Sequence, residues 1–370
     1  MKSTHDVCIV GGGVIGCAIA FFAARKGFRP LVIERNELGS QSTQAGAGML
    51  GAQVEMEKPD ALYRLGIASR DMYKDLQAEL KEISGIDIEL QTAGILRLAV
   101  SEDDRNQLLA RQKWQTEEGQ RAIWLEDEEL RKEAGDLFGS TYGALYLPDD
   151  HQVRNQALLQ ALVASATKLG AKFVQHTEMT GIILQGDTVK GITTPHGQIA
   201  VDAVILAAGA WTGILSRHCG VELPVFPVKG QAIMAESRSP VTPFTVFTHG
   251  TYMLPKLTGH IYIGATMERC GFDKTPSLEG AARLLSRAAE IMPPLGKLGV
   301  HSHLVGLRPG SEDGYPFFGE LPGIKGLYTA TGHLRNGVLL APITGAILAD
   351  LLSEKVSGID LAPFSVNRLL

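Results

Sequence analysis

Residues 6–35 read DVCIVGGGVIGCAIAFFAARKGFRPLVIER, and their reading decides the fold. Val7 to Val10 is an apolar run of strand length. Gly11, Gly12, Gly13 and Gly16 follow it. An apolar stretch with helical composition then runs from Val14 to Arg25 and stops at Gly27. A second apolar run, Leu31 to Ile33, ends in Glu34, 18 positions beyond Gly16. The spacing is G-x-G-x-x-G inside a strand–turn–helix–strand unit, with an acid where a ribose diol needs an acceptor. Gly11 suits the tight turn, Gly13 lets a diphosphate approach the backbone, and Gly16 lets the helix pack close to the strand. The free N–H groups and dipole at the helix start then favour an anion. The pattern predicts a dinucleotide site. A glycine-rich turn of another α/β unit is the plainer alternative, and four central glycines argue against a membrane segment.

Working outward, 370 residues give a prior of two domains with ample material for cores. Hydrophobic content of 45% and charged content of 20% are those of an ordinary globular protein. A net charge of −5 with no basic run excludes nucleic acid or anionic lipid as the expected partner. Cys8, Cys17, Cys219 and Cys270 are scattered and form no zinc or C-x-x-C spacing, as reduced cytosolic thiols would be. The first strand begins almost at once, so no signal peptide is expected and the cytoplasm is the default location.

Residues 39–53, GSQSTQAGAGMLGAQ, are small and flexible. They read as a loop touching a ligand rather than as a linker, because they directly follow the nucleotide unit. Residues 60–84 carry one amphipathic helical pattern ending at Gly85. Residues 93–100 read as a strand, 102–118, 126–134 and 154–169 as helices, and 179–201 as strands joined by tight turns. VDAVILAAGAWTGIL, 201–215, is a strand that ends in small residues around Gly209. Strands over 226–236 and 251–268 and a helix over 277–292 follow, with Ser277 as N-cap and Pro293-Pro294 as the stop. Residues 326–353 return to strand, glycine turn and helix. Three cofactor-like segments at the start, middle and end of the chain fit a long coenzyme such as FAD better than a contiguous NAD domain.

The motifs CIVGGGVIGCAIA, STQAGAGMLGA, VILAAGAWTG, PVKGQ, YIGATM, GLRPGSEDGYPFFG and ATGHLRNGVLLAPITG span nearly the whole chain. In them the sequence resembles the FAD-dependent amine oxidases of the D-amino-acid oxidase superfamily, and within it the bacterial glycine oxidases that serve thiamin synthesis. The resemblance implies an α/β fold: an FAD-binding, Rossmann-like (glutathione-reductase-type) domain interleaved with an α+β substrate domain on a mainly antiparallel sheet. The expected division is 1–85, 150–221 and 306–370 for FAD, and 86–149 and 222–305 for substrate. It also implies noncovalent FAD, an amino-acid substrate, oxygen as acceptor and a homotetramer. The cofactor contacts it implies add Val14, Ile15, Glu34, Arg35, Ser42, Thr43, Ala47, Gly48, Met49, Met179 and the loop His333, Leu334, Arg335, Asn336, Gly337, Val338 and Leu339 to Gly11, Gly13, Gly16 and Gly209.

For the substrate, the resemblance implies Arg308 and Tyr252 on its carboxylate, Arg335 on the amine side and Met267 on the wall. Arg308 lies in an apolar run, where a guanidinium needs a planar anion. A structural ion pair is the alternative for Arg308, a core tyrosine for Tyr252, a surface arginine for Arg335 and plain packing for Met267. His301-Ser302-His303 is an H-x-H without a completing ligand, so no metal is expected. His333 beside the flavin loop reads as structural rather than as an acid or base. The expected reaction is oxidation of glycine, sarcosine or a small D-amino acid by hydride transfer to flavin, with no catalytic side chain assigned. A sarcosine oxidase or a dehydrogenase of the same superfamily with another acceptor is the alternative.

Overall fold

A computed structural model describes residues 5–237, 241–355 and 358–369. Two large sheets organise it. The first has six strands in the order Phe317–Glu320, Leu327–Thr331, Ala203–Leu206, Val7–Val10, Pro30–Ile33 and Lys172–Val174. All neighbours are parallel except the pair Phe317–Glu320 and Leu327–Thr331. Its central strands are apolar on both faces because both are covered. Val7 and Ile9 join a core with the helices Val14–Arg25, Asn155–Lys168 and Gly337–Leu352. Cys8 and Val10 point the other way, into a second core shared with the three-stranded sheet of 181–200.

Helix Val14–Arg25 packs on Gly337–Leu352 at very close range. A Cβ at Gly345 would lie 2.6 Å from the Phe22 ring and 2.9 Å from Ala18 O. The latter helix contains Pro342, which has no N–H to give Val338 O four residues back. That carbonyl instead accepts from the Tyr73 hydroxyl, and Leu339 O accepts from Ser69 Oγ at 2.6 Å. Backbone acceptors in a buried place are thus satisfied by side chains. The stretch 60–84, expected as one helix, is two, Ala61–Asp71 and Tyr73–Ser84. They join at Met72, whose N–H tightens onto Ser69 O. The break lies between the two residues that hold the Pro342 helix.

The second sheet has eight strands, in the order Gly299–Ser311, Val225–Glu236, His260–Gly264, Thr251–Lys256, Thr245–Thr248, Ile95–Leu98, Ala144–Leu147 and Ile123–Leu125. It is antiparallel apart from the pairing of Thr245–Thr248 with Ile95–Leu98. The α/β architecture with a mainly antiparallel second sheet is therefore what the chain adopts. Helix Leu278–Ile291 covers one face through Leu284, Ala288 and Ile291. Ser277 caps it, accepting from Gly280 N. Tyr252 and Tyr262 project from the opposite face. Strand Gly299–Ser311 crosses the expected division at 305/306 without interruption, so Arg308 belongs to this sheet.

Candidate active site

A cavity of about 410 Å³ lies against the carboxyl ends of the parallel strands, at Val10, Ile33 and Ala207, and against the eight-stranded sheet at Gly230, Tyr252, Gly306 and Arg308. Such ends are where open α/β sheets take ligands. The three glycines of the fingerprint do different work there. Gly11 has φ +117°, and a Cβ on it would sit 2.5 Å from Ala207 O. A Cβ on Gly16 would sit 1.9 Å from Gly11 O, so this glycine sets the approach of helix to turn. A Cβ on Gly13 would meet only Thr43 Oγ1, at 3.5 Å, and Gly13 lines the cavity. Val14 N donates to Thr43 Oγ1 at 3.0 Å, whereas Ile15 N has no acceptor among the described residues. Glu34 accepts from Gly12 N at 2.8 Å and Asn36 N at 2.9 Å, which orients its carboxylate at the strand end.

The loop 39–53 is built, not slack. It contains the short helices Ser42–Ala45 and Ala52–Glu55, and Met49–Leu50 pairs with His151–Gln152. Its anchors Gln53, Arg70 and Asp150 are buried, and Lys256 is half-buried. Asp150 accepts from Gln53 N at 3.0 Å and Val54 N at 2.8 Å, and Arg70 Nη1 reaches the same carboxylate at 3.3 Å. Lys256 Nζ donates to Ala47 O and to Gln152 Oε1. Burial pushes this amine down to about 7 from an ordinary 10.5. Its two hydrogen bonds match the two N–H groups of a neutral amine. Above about pH 10.5 both folded and unfolded states are uncharged there. As pH falls towards 7, the unfolded chain binds a proton that the folded chain refuses, so stability is lost, and the loss levels off below 7. Lys256→Met is therefore expected to gain on the wild type by roughly 2–4 kcal/mol between pH 10.5 and 7. Melting curves across that range check this; parallel curves for the two proteins would contradict it.

Arg308 is clamped by both cofactor loops. Ser42 Oγ donates to Leu307 O on one side, and Leu334 N donates to Pro309 O at 2.8 Å on the other. Ser42 thus directs its hydroxyl proton at strand Gly299–Ser311 while still lining the cavity. The Arg308 guanidinium lies flat on Gly230, where a Cβ would be 2.1 Å from Nη1. Tyr252 stacks on Tyr262 at 6.1 Å, and the Tyr262 hydroxyl donates to Ala45 O at 2.8 Å.

Arg335 pairs with Glu55 by two hydrogen bonds, at 2.7 and 2.6 Å. Burial opposes its charge, but the Glu55 carboxylate more than offsets this and holds the guanidinium above its ordinary pKa. His333 is fully buried, which pushes it down to about 3, and its Nε2 lies 3.1 Å from Thr344 Oγ1. Burial thus favours a neutral imidazole there.

The cavity brings together most of the expected residues: Gly11, Gly13, Val14, Ile15, Glu34, Arg35, Ser42, Thr43, Ala47, Gly48, Met49, Met179, Gly209, Tyr252, Arg308, His333, Leu334, Arg335, Gly337 and Val338 all line it. Gly16, Asn336, Leu339 and Met267 do not. Gly16 faces the Gly11 turn, Asn336 occupies the N-cap position of the last helix without a side-chain capping bond, and Leu339 is in the core against Gly66. Met267 is 50% exposed and reaches the site only through its Sδ, 3.8 Å from Arg335 Nη1. Sequence reasoning missed Glu55 and Gly230. Glu55 closes a short helix that looked like loop, and the need for Gly230 exists only because a strand neighbour lays a guanidinium on it. The His301 and His260 rings lie 4.5 Å apart, tilted by 57°, and no group of metal-ligating side chains occurs among the described residues. No helix among them is long and apolar enough to cross a membrane.

An elongated anionic dinucleotide fits this lining. Gly13 leaves the open cradle, the Ile15 N–H is free, and Ser40 Oγ, on a lining residue, is buried without a partner. Comparison with known proteins agrees. The family described as FAD dependent oxidoreductase matches residues 6–351. A glycine oxidase of Geobacillus kaustophilus is 38% identical over 370 residues, covering 100% of this chain and 98% of its own. Its crystal structure superimposes with a TM-score of 0.95 over 98% of each chain. The bifunctional protein ThiO/ThiG of Synechocystis is 33% identical over 379 residues, covering 100% of this chain and 55% of that protein. With a fingerprint, a cavity and a full-length match in agreement, the chain belongs to the FAD dependent oxidoreductase family.

Proposed function

We propose that the protein oxidises glycine and other small primary or secondary amino acids such as sarcosine and D-alanine. The observation that carries this reading is Arg308, which makes no ion pair among the described residues although it lines the cofactor cavity. A half-buried guanidinium facing a cavity with no anionic partner calls for a planar anion, and a substrate carboxylate supplies one. Tyr252, 6% exposed and lining the same cavity, adds a hydroxyl to the same group. FAD, when bound, supplies the two-electron acceptor for a hydride leaving the substrate α-carbon.

What the chain contributes is placement. Arg308 fixes the carboxylate, and the clamp on Leu307 and Pro309 fixes Arg308. Arg335 is neutralised by Glu55, so the site carries one net positive charge for the substrate carboxylate to balance, and the substrate amine lies in a neutral setting. No side chain is assigned to take its proton, because His333 is buried against Thr344 and Glu55 is committed to Arg335. With glycine, the net reaction consumes glycine, oxygen and water and yields glyoxylate, ammonia and hydrogen peroxide. We assign Arg308 and Tyr252 to substrate, Arg335 to its amine side, and the lining glycines and loops to FAD. The likeness to ThiO/ThiG extends the proposal to supplying the glycine imine for thiamin thiazole synthesis.

An anaerobic titration tests the reading. Purified protein is mixed with glycine, sarcosine, D-alanine and L-alanine, and the oxidised flavin band is followed. Bleaching by glycine and sarcosine, with peroxide formed when air is admitted, is the expected result. A flavin that stays oxidised with all four overturns it. Bleaching without peroxide, and turnover only with a dye acceptor, favours the dehydrogenase of the same superfamily.

A further inference from the structure

Two guanidinium groups reach the same part of the cavity, and only one is neutralised. Arg335 is tied to Glu55 through its Nε and Nη2. Arg308 has no carboxylate partner among the described residues, and its Nη1 donates to Thr266 O at 3.0 Å. The next residue, Met267, puts its Sδ 3.8 Å from Arg335 Nη1. The two cations therefore sit against adjacent residues of one segment. Arg335 also lies over Tyr252, whose ring centre is 5.4 Å from its Cζ, and Tyr252 lines the same cavity as Arg308. Two cations and one carboxylate leave a single net positive charge, enough for one substrate carboxylate.

We propose that Glu55 is the specificity-determining residue that restricts this site to amines carrying one carboxylate. It does so by occupying Arg335, the second cation that a dicarboxylic amine would need. The inference rests on the amino-acid oxidase reading above. Glu55 is placed to act this way because it is not free to swing aside. It ends the short helix Ala52–Glu55, whose Gln53 and Val54 N–H groups are held by the buried Asp150 carboxylate. Arg97 Nη1 adds a bond to Val54 O at 2.7 Å. A second substrate carboxylate would face the Glu55 carboxylate at close range. Like charges brought together in a dry site cost several kcal/mol and are a recognised means of rejecting a ligand.

The test uses holoenzyme, wild type and Glu55→Gln, which keeps shape and removes charge. Acetate and malonate are titrated against the flavin absorbance band, and glycine and iminodiacetate are compared as anaerobic reductants. Wild type is expected to prefer acetate to malonate by on the order of 100-fold, and Glu55→Gln to narrow that preference by about 30-fold or more, with iminodiacetate reduction appearing in step. A merely structural role for Glu55 would weaken both carboxylates alike. Equal affinity of wild type for acetate and malonate overturns the proposal, and needs no variant. An unchanged ratio in a flavin-loaded Glu55→Gln protein also overturns it. If glycine fails to reduce the wild-type flavin, the amino-acid oxidase reading falls, and the acetate–malonate comparison still decides the charge selectivity of the cavity.

Discussion

Arg308→Ala is expected to raise the KM for glycine about 30-fold to several thousandfold while FAD stays bound. The range corresponds to the roughly 2–5 kcal/mol lost when one partner of a desolvated, hydrogen-bonded charge pair is truncated. The flavin is retained because Arg308 projects from the eight-stranded sheet, whereas the fingerprint, the Glu34 carboxylate and the Ser42–Ala45 helix are held by other contacts. A second variant separates position from charge. Gly230→Ala keeps the guanidinium but places a methyl group 2.1 Å from where its Nη1 lies. The arginine must move, and KM should rise in the same direction with the melting temperature nearly unchanged. Steady-state kinetics with glycine and the flavin-to-protein absorbance ratio check both. Normal glycine kinetics in Arg308→Ala would remove the basis of the substrate assignment.

The second large effect separates the three fingerprint glycines by what each one fails at. Gly11→Ala forces a left-handed φ on a residue with a Cβ and drives that atom onto the Ala207 backbone. Strain of about 1–2 kcal/mol and overpacking of about 1–3 kcal/mol together give a folding defect. Gly16→Ala strikes Gly11 O and cannot be relieved without lifting the helix off the turn. Both variants are expected to melt several degrees lower and to be purified without yellow colour. Gly13→Ala meets nothing closer than 3.5 Å, so its fold should stand, and the cost should fall on FAD affinity alone. Melting of the apo-proteins beside FAD titration gives the pattern. Equal loss of fold in all three would show that Gly13 is not the cofactor-facing position.

Much of the architecture was legible from local signals. The strand, glycine turn and helix over 7–25 obey a period and a turn chemistry that are written in consecutive residues. Ser277 as a cap and Gly85 in the left-handed region, φ +81°, are likewise local facts. Elsewhere the deciding partner was far along the chain. The pattern over 60–84 is helical throughout, yet the helix is broken at Met72 between Ser69 and Tyr73, which satisfy carbonyls some 270 residues away that Pro342 disturbs. The strand Gly299–Ser311 was hidden by its glycines and Pro309, which lower strand propensity. Its twelve-residue register with Val225–Glu236 makes it a strand regardless.

The same division holds for the site. The sequence alone marked the start of the first helix as the place for a dinucleotide, because glycine spacing and a following acid act within one βαβ unit. It also marked Arg308 as a charge out of place in an apolar run. Which of the two arginines remains available to a substrate was decided only by tertiary structure. Glu55 and Arg335 are 280 positions apart and meet because two loops converge on one cavity. Charge pairing depends on distance in space, and no feature of either residue's neighbours along the chain records it.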